Sequence, residues 1–231
     1  MNLHWISLRN VSIFEQLKLE EALLRTEDRN FCIVNRGSPK AIVMGISGDA
    51  EKMLHIPLVK QDLVPVIRRF SGGGTVVVDE DTLFITWIFS KKDSPTAPFP
   101  EPMLRWSAEV YAEAWKIPGF ALRENDYVIG NTKCGGNAQY IQKDRWLHHT
   151  SFLWDYKKEN MEYLQLPAKR PQYRLDRDHS EFVCKLKTFL PNTIDQLEEI
   201  LRASLVKRFY IQSLDVSSLQ FREHRQTVRM C

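Results

Sequence analysis

The stretch Arg68-Arg69-Phe70-Ser71-Gly72-Gly73-Gly74-Thr75-Val76-Val77-Val78-Asp79 places two guanidinium groups beside a triple-glycine turn. Successive glycines permit backbone conformations and close approaches that a Cβ blocks. Their N–H groups can converge on an anion, and paired arginines suit a carboxylate or phosphate. The chemistry favoured is oxyanion recognition; the same residues also fit a plain β-turn flanked by solvated arginines. The turn is not a nucleotide P-loop: G-x-x-x-x-G-K-[ST] is absent, and a β-branched run rather than a helix follows the glycines.

A second stretch, Asn125-Asp126-Tyr127-Val128-Ile129-Gly130-Asn131-Thr132-Lys133-Cys134-Gly135-Gly136-Asn137-Ala138-Gln139, sets one lysine at the start of a glycine-rich strand. Small residues there let a ligand approach the backbone and meet one ammonium; a lone lysine near a turn also fits simple solvation. His148 and His149 are adjacent in a strand pattern, so they point to opposite faces and make a poor metal pair. No H-x-x-x-H completes a zinc site. Cys134 should face away from Lys133.

Elements must hold these groups in place. Residues 5–10 read as a strand and 14–25 as a helix, with Ser12 as N-cap and Glu15 as its capping-box partner. Residues 31–36 and 41–45 read as strands joined around Gly37-Ser38-Pro39 into a hairpin. A short helix is expected over 49–55 and a strand over 64–67. Residues 82–89 form a buried strand, which makes the glycine stretch a strand–turn–strand unit. Four prolines make 91–102 a loop, and 106–116 is a helix stopped by Pro118-Gly119. Asn131 suits a hairpin turn, and 146–154 is a strand. Residues 157–169 hold a short helix or turn, 170–179 form a polar loop expected to be mobile, and 193–210 an amphipathic helix capped by Thr193 and Gln196. The tail from Ser217 is short and polar.

The 231 residues suit one large domain with a substantial core. A hydrophobic content of 43%, a charged content of 26% and a net charge of +3 describe an ordinary globular chain and give no argument for nucleic acid. The four scattered cysteines form no C-x-x-C, and no signal-like or membrane-length apolar segment is evident. Free thiols, a cytoplasmic location and no membrane partner are expected.

Together these stretches resemble a known family. Arg68 to Gly74 resembles the RR-x-SGGG motif of lipoate–protein ligases. The Asn125-Asp126 pair and the Gly130 to Ala138 run resemble the second motif, in which N-D precedes G-x-K-x-x-G-x-A. His148 to Leu153 resembles the HHGTLL segment, and Leu17 to Leu23 the early N-L-A-L-E-E helix. The resemblance implies an α+β, biotin/lipoate ligase-like fold: a mixed, largely antiparallel sheet with packed helices. A single catalytic domain over 1–231, without the C-terminal accessory domain that relatives often carry, is expected. The resemblance also implies activation of lipoate or octanoate by ATP, with Mg²⁺, to an acyl-AMP. The acyl group then passes to a lysine of a lipoyl carrier domain, in 2-oxoacid dehydrogenase E2 subunits or the glycine cleavage H protein. A separate accessory subunit is a further implied partner. By the same analogy Lys133 is catalytic and reaches the acyl carbonyl and the α-phosphate. Arg69 and the backbone from Gly74 through Thr75, Val76 and Val77 bind nucleotide. Asp126 places nucleotide or metal, and Ser71, Gly72, Gly73, Gly136, Ala138 and His149 complete the ligand site. The acyl slot is expected from the strands around 75–78 and 83–89.

Three departures stand out. Val78 occupies a position where the family often has histidine, Thr150 replaces the glycine of HHGT, and the chain is short. They leave room for three alternatives: a cysteine-dependent octanoyltransferase using acyl carrier protein, with Cys184 as the candidate thiol; a non-catalytic ligand- or carrier-binding relative; and a biotin ligase.

Overall fold

Continuous apolar runs and β-branched content produce twelve strands in the computed structural model, which describes residues 1–168 and 170–231. In chain order the first half comprises β1 (Asn2–Arg9), α1 (Ile13–Thr26), β2 (Phe31–Arg36), β3 (Ala41–Met44), α2 (Ala50–Met53), α3 (Ile56–Gln61), β4 (Val66–Arg68), β5 (Val76–Val78) and β6 (Thr82–Ser90). The second half comprises α4 (Pro100–Trp115), β7 (Phe120–Arg123), β8 (Asp126–Ile129), β9 (Thr132–Ile141), β10 (Arg145–Leu153), α5 (His179–Phe182), α6 (Ile194–Leu205), β11 (Tyr210–Ser213) and β12 (Arg229–Met230). Eight strands form one sheet in the order β11-β1-β2-β6-β10-β9-β8-β7, and four form another in the order β12-β4-β3-β5. Antiparallel pairing dominates; β11-β1-β2 and β3-β4 are the parallel stretches. The architecture is thus α+β, mixed and largely antiparallel.

The large sheet is covered on both faces, which is why β2 and β6 read as near-continuous apolar runs. Side chains alternate across it. Trp87, Phe89, Trp146 and Phe152 pack with Trp106 and Tyr111 of α4 and Leu197 and Leu201 of α6. Phe31, Ile33, Phe84 and Ile88 face the other way, against Leu17 of α1 and against Val43, Ile67 and Val78 of the small sheet. The space between α1 and the two sheets is where the cleft described below opens.

Several expectations change. β2 and β3 do not pair; the turn at Gly37 carries the chain from the large sheet to the small one. β4 and β5 are not neighbours either, because β3 lies between them, so the glycine stretch is a crossover loop and not a hairpin turn. α4 starts at Pro100, with prolines in its first turn where no N–H partner is needed. Ser12 caps α1 as expected, but the Glu15 carboxylate takes Lys18 at 3.3 Å instead of reaching back to close a box. Thr193 and Gln196 do form a capping box, on a helix that ends at Leu205. The span 157–169 contains a 3₁₀ turn at Lys158–Tyr163, and its last residue lies outside the described residues. The C-terminal stretch is not a free tail. Val228 is buried, the backbone of Thr227 and Val228 donates to Glu21, and β12 pairs with β4. Among the described residues, no helix is long and apolar enough to cross a membrane.

Candidate active site

α1 supplies Ile13 and Leu17, β3 supplies Val43, β5 supplies Val76 and Val78, and β6 supplies Phe84 to one wall of a cleft enclosing about 460 Å³ of empty space, part of it open to solvent. These side chains present only hydrocarbon. The opposite wall is β9 and β10: Gly136, Asn137, Ala138, His149, Thr150 and Ser151. Val76, Val78 and Phe84 come from the two strands expected to form an acyl slot; Ile13, Leu17 and Val43 were not anticipated. Val78, which stands where a histidine was expected, is apolar wall, and Val77 points away into the cluster under α3.

The glycine loop is shaped from inside by Arg69. Its buried guanidinium donates to the carbonyls of Gly72 (2.7 Å) and Gly74 (2.9 Å) and to Ser71 Oγ (3.1 Å). Burial lowers its pKa to about 10, so it stays charged near neutrality. Its donors therefore hold the loop. Gly73 has φ +101°, and a Cβ there would sit 2.8 Å from Arg69 Nη2. Gly45 crosses behind it, where a Cβ would fall 2.3 Å from the Gly73 carbonyl oxygen. On the outer side the Cβ positions of Gly72 and Gly74 meet nothing within 4 Å, so this backbone borders open space. Thr75 Oγ1 turns to Met53 Sδ at 3.0 Å.

A polar chain crosses the cleft. Ser71 Oγ lies 3.0 Å from His149 Nε2, and His149 Nδ1 lies 2.9 Å from Glu20 Oε2. Glu20 also accepts from Thr86 (2.7 Å) and Gln16 (2.8 Å) through its other oxygen. Glu20 and Gln16 were missed in the sequence. Their signal was two polar residues four apart on the same helical face as Ile13 and Leu17, where solvent is excluded. His148, on the opposite face as expected, is fully buried among Tyr127 (2.9 Å), Ser107 (3.2 Å) and Thr150 (3.3 Å). Burial, then the charge of His149, lowers its pKa to about 3, so it is a neutral structural group.

Lys133 opens β9 beside the cleft. A Cβ on Gly136 would sit 3.6 Å from Lys133 Nζ, so that glycine leaves the ammonium room over the cleft wall. The ammonium pairs with Asp126 Oδ1 at 2.6 Å across the β8–β9 hairpin, whose turn uses Gly130 at φ +59°. Asp126 Oδ2 accepts from Tyr173 at 2.9 Å. Tyr173 lies in the 170–179 loop, which is folded here through a 3₁₀ turn and has Arg177 bonded to Asn131 and Tyr173 carbonyls. Each Asp126 oxygen thus has one protein partner, the ammonium of Lys133 on one and the Tyr173 hydroxyl on the other. Among the described residues no three His, Cys, Asp or Glu side chains cluster as a metal cage. Cys134 is buried on the other face as expected, and Cys184 is half-buried with its N–H on the Lys133 carbonyl. Desolvation pushes both thiols up, away from the thiolate form.

Of the expected site residues, Arg69, Gly136, Ala138 and His149 line the cleft; Ser71 touches His149, Gly72 and Gly74 are held by Arg69, Gly73 lies beside Arg69 and Ala138, and Lys133 lies beside Gly136 with Asp126 behind it. The Thr75 and Val77 side chains point away from the cleft, to Met53 and to the cluster under α3. The arrangement suits an apolar chain ending in a carboxylate near one lysine. The family model of the lipoyl protein ligase A/B catalytic domain matches residues 12–206. The inactive lipoate–protein ligase 2 of Plasmodium falciparum (isolate 3D7) is 28% identical over 253 aligned positions, covering 83% of this chain and 65% of that protein. The chain spans less than two-thirds of the length of such curated relatives. A lipoate–protein ligase A bound with ATP superposes with a TM-score of 0.73 at 18% identity, covering 93% of this chain and 89% of that one. A bipartite lipoate protein ligase of Thermoplasma acidophilum, solved in a study of that ligase and its E2 lipoyl domain, gives 0.73 at 21% identity, covering 93% and 87%. With the family match extending from the cap of α1 to the end of α6, the chain belongs to the lipoyl protein ligase A/B catalytic-domain family.

Proposed function

We propose that this protein activates lipoate or octanoate with ATP and transfers the acyl group to a lysine of a lipoyl carrier domain. The observation that carries the reading is Lys133, a part-buried ammonium beside Gly136, a residue that lines the largely apolar cleft. A carboxylate is a poor electrophile, and adenylation supplies a leaving group. The acyl chain lies along Leu17, Val43, Val76, Val78 and Phe84, with its carboxylate toward Lys133. The open outer side of Gly72 and Gly74 accommodates the nucleotide, which is a substrate here. Attack of the carboxylate on the α-phosphate releases pyrophosphate. The neutral amine of the carrier lysine then attacks the acyl carbonyl, AMP leaves, and the amine gives up its proton. Negative charge grows on phosphate and carbonyl oxygens in both steps, and a fixed ammonium offsets it in a site with little water.

A second reading is favoured by one observation: a similar Plasmodium protein is called inactive. In it the chain binds ligand or carrier without completing the reaction. Mass spectrometry of a carrier domain separates the readings, using lipoate or octanoate with ATP, and preformed lipoyl-AMP. A mass gain with free acid and ATP supports the full ligase. A gain with lipoyl-AMP alone restricts the chain to transfer, and no gain in any arm rejects catalysis. Lys133→Ala should reduce transfer by at least about 100-fold, the scale seen when an electrostatic donor is removed. An unchanged rate removes Lys133 from the mechanism.

A further inference from the structure

Lys133 is held from two directions by one segment that follows the active-site strands. The Cys184 N–H donates to the Lys133 carbonyl at 2.9 Å, and Val183 bridges Lys133 in parallel register. From the other side Tyr173 donates to Asp126 Oδ2 at 2.9 Å, while Asp126 Oδ1 holds the Lys133 ammonium at 2.6 Å. The Asp126 and Lys133 side chains are only 11% and 24% exposed, so little water competes for them.

We propose that Tyr173 is a positioning residue for Lys133, acting through Asp126. The terminal torsion of an aspartate is broad, so one ion pair does not fix the plane of its carboxylate. A hydroxyl donor on the second oxygen does. With Oδ2 tied to Tyr173, Oδ1 has one direction to offer, and the ammonium rests beside Gly136. Tyr173 is itself aimed: its ring lies under the Arg123 guanidinium at 4.7 Å and against Phe182 at 5.2 Å. Its backbone N–H reaches Glu124 at 3.3 Å. Arg177 donates to the Tyr173 carbonyl at 2.7 Å and to the Asn131 carbonyl at 2.8 Å, tying the loop to the hairpin that carries Lys133. Burial and then the Asp126 charge push the phenol pKa up, so Tyr173 remains a donor at any working pH. The charged groups facing this relay are Arg123, Glu124 and Arg174.

The inference rests on Lys133 being the catalytic cation, and its test has a readout that needs no turnover. Competitive labelling of the full chain with acetic anhydride, read by mass spectrometry, reports the accessibility and basicity of Lys133. Single-turnover transfer from lipoyl-AMP to a carrier domain is measured in parallel. Tyr173→Phe keeps the ring between Arg123 and Phe182 and removes only the donor. It should raise Lys133 labelling several-fold and slow transfer about tenfold, with carrier KM within about twofold. Asp126→Asn should release Lys133 as well, and Tyr173→Phe should add nothing in that background. Equal labelling of wild type and Tyr173→Phe, or a full Tyr173→Phe effect in the Asp126→Asn chain, overturns the proposal. Changed labelling in a chain whose wild type transfers nothing keeps the positioning and removes the ligase reading instead.

Discussion

Adjacent histidines have opposite duties. His149 faces the cleft and bridges Ser71 to Glu20, whereas His148 is sealed beneath the sheet with a pKa near 3. The difference follows from strand alternation alone. It has a pH consequence whose sign is definite. The folded pKa of His148 lies below the ordinary 6.5, so as pH falls the unfolded chain binds this proton first. This group costs no stability above about 6.5 and costs progressively more as pH drops toward 3, on the order of 5 kcal/mol in all for a shift of this size. His148→Gln keeps hydrogen-bonding capacity without a titrating ring. Urea unfolding at pH 7.5, 5.5 and 4.5 should show a shallower pH slope for the variant; equal slopes would disprove the assignment.

At the scale of elements, the site depends on two backbone segments crossing at contact distance. Gly45, just after β3, passes behind Gly73, and Arg69 clamps the loop from inside. Gly45→Ala places a Cβ 2.3 Å from the Gly73 oxygen, and neither partner is a flexible side-chain end. The loop must shift, at a cost of about 1–3 kcal/mol for an overpacked position. Acyl transfer should fall by more than this loss of stability accounts for; a variant with normal transfer and normal unfolding would show that the crossing is slack. Nothing in the residues around Gly45 announces this role, because its partner is 28 positions away in the chain. The glycine turn beside the cleft was legible, as were the caps at Ser12 and Thr193 and most strand spans, since each is a local pattern. The pairing of strands was not. β2 and β3 look like a hairpin from their turn residues, yet each finds a partner elsewhere because both are buried on two faces. Tyr173 was hidden for a similar reason: a tyrosine in a polar loop carries no mark of the buried carboxylate it meets.

For the whole molecule, the cleft is walled by α1 and by both sheets, so a ligand filling it adds contacts to a core that all three already share. Lipoate or octanoate at 100 times its dissociation constant should stabilise the fold by about 2.7 kcal/mol. For a chain of this length that corresponds to roughly 5–10 °C in Tm. Acetate, which carries the same head group without the apolar chain, should give almost no shift at equal concentration. Calorimetry that shows equal shifts for the two would deny the apolar wall its role.

One side of each sheet gains its outermost strand late. β11 borders β1, and β12 borders β4, and both come from residues 210–230. During synthesis the ribosome delivers these strands after all the others. Until residue 213 has emerged β1, and until residue 230 has emerged β4, presents an unpaired row of N–H and C=O groups. The nascent chain therefore holds a nearly finished site on two open sheets, and this is the interval in which it is most exposed to pairing with a neighbour on the same messenger.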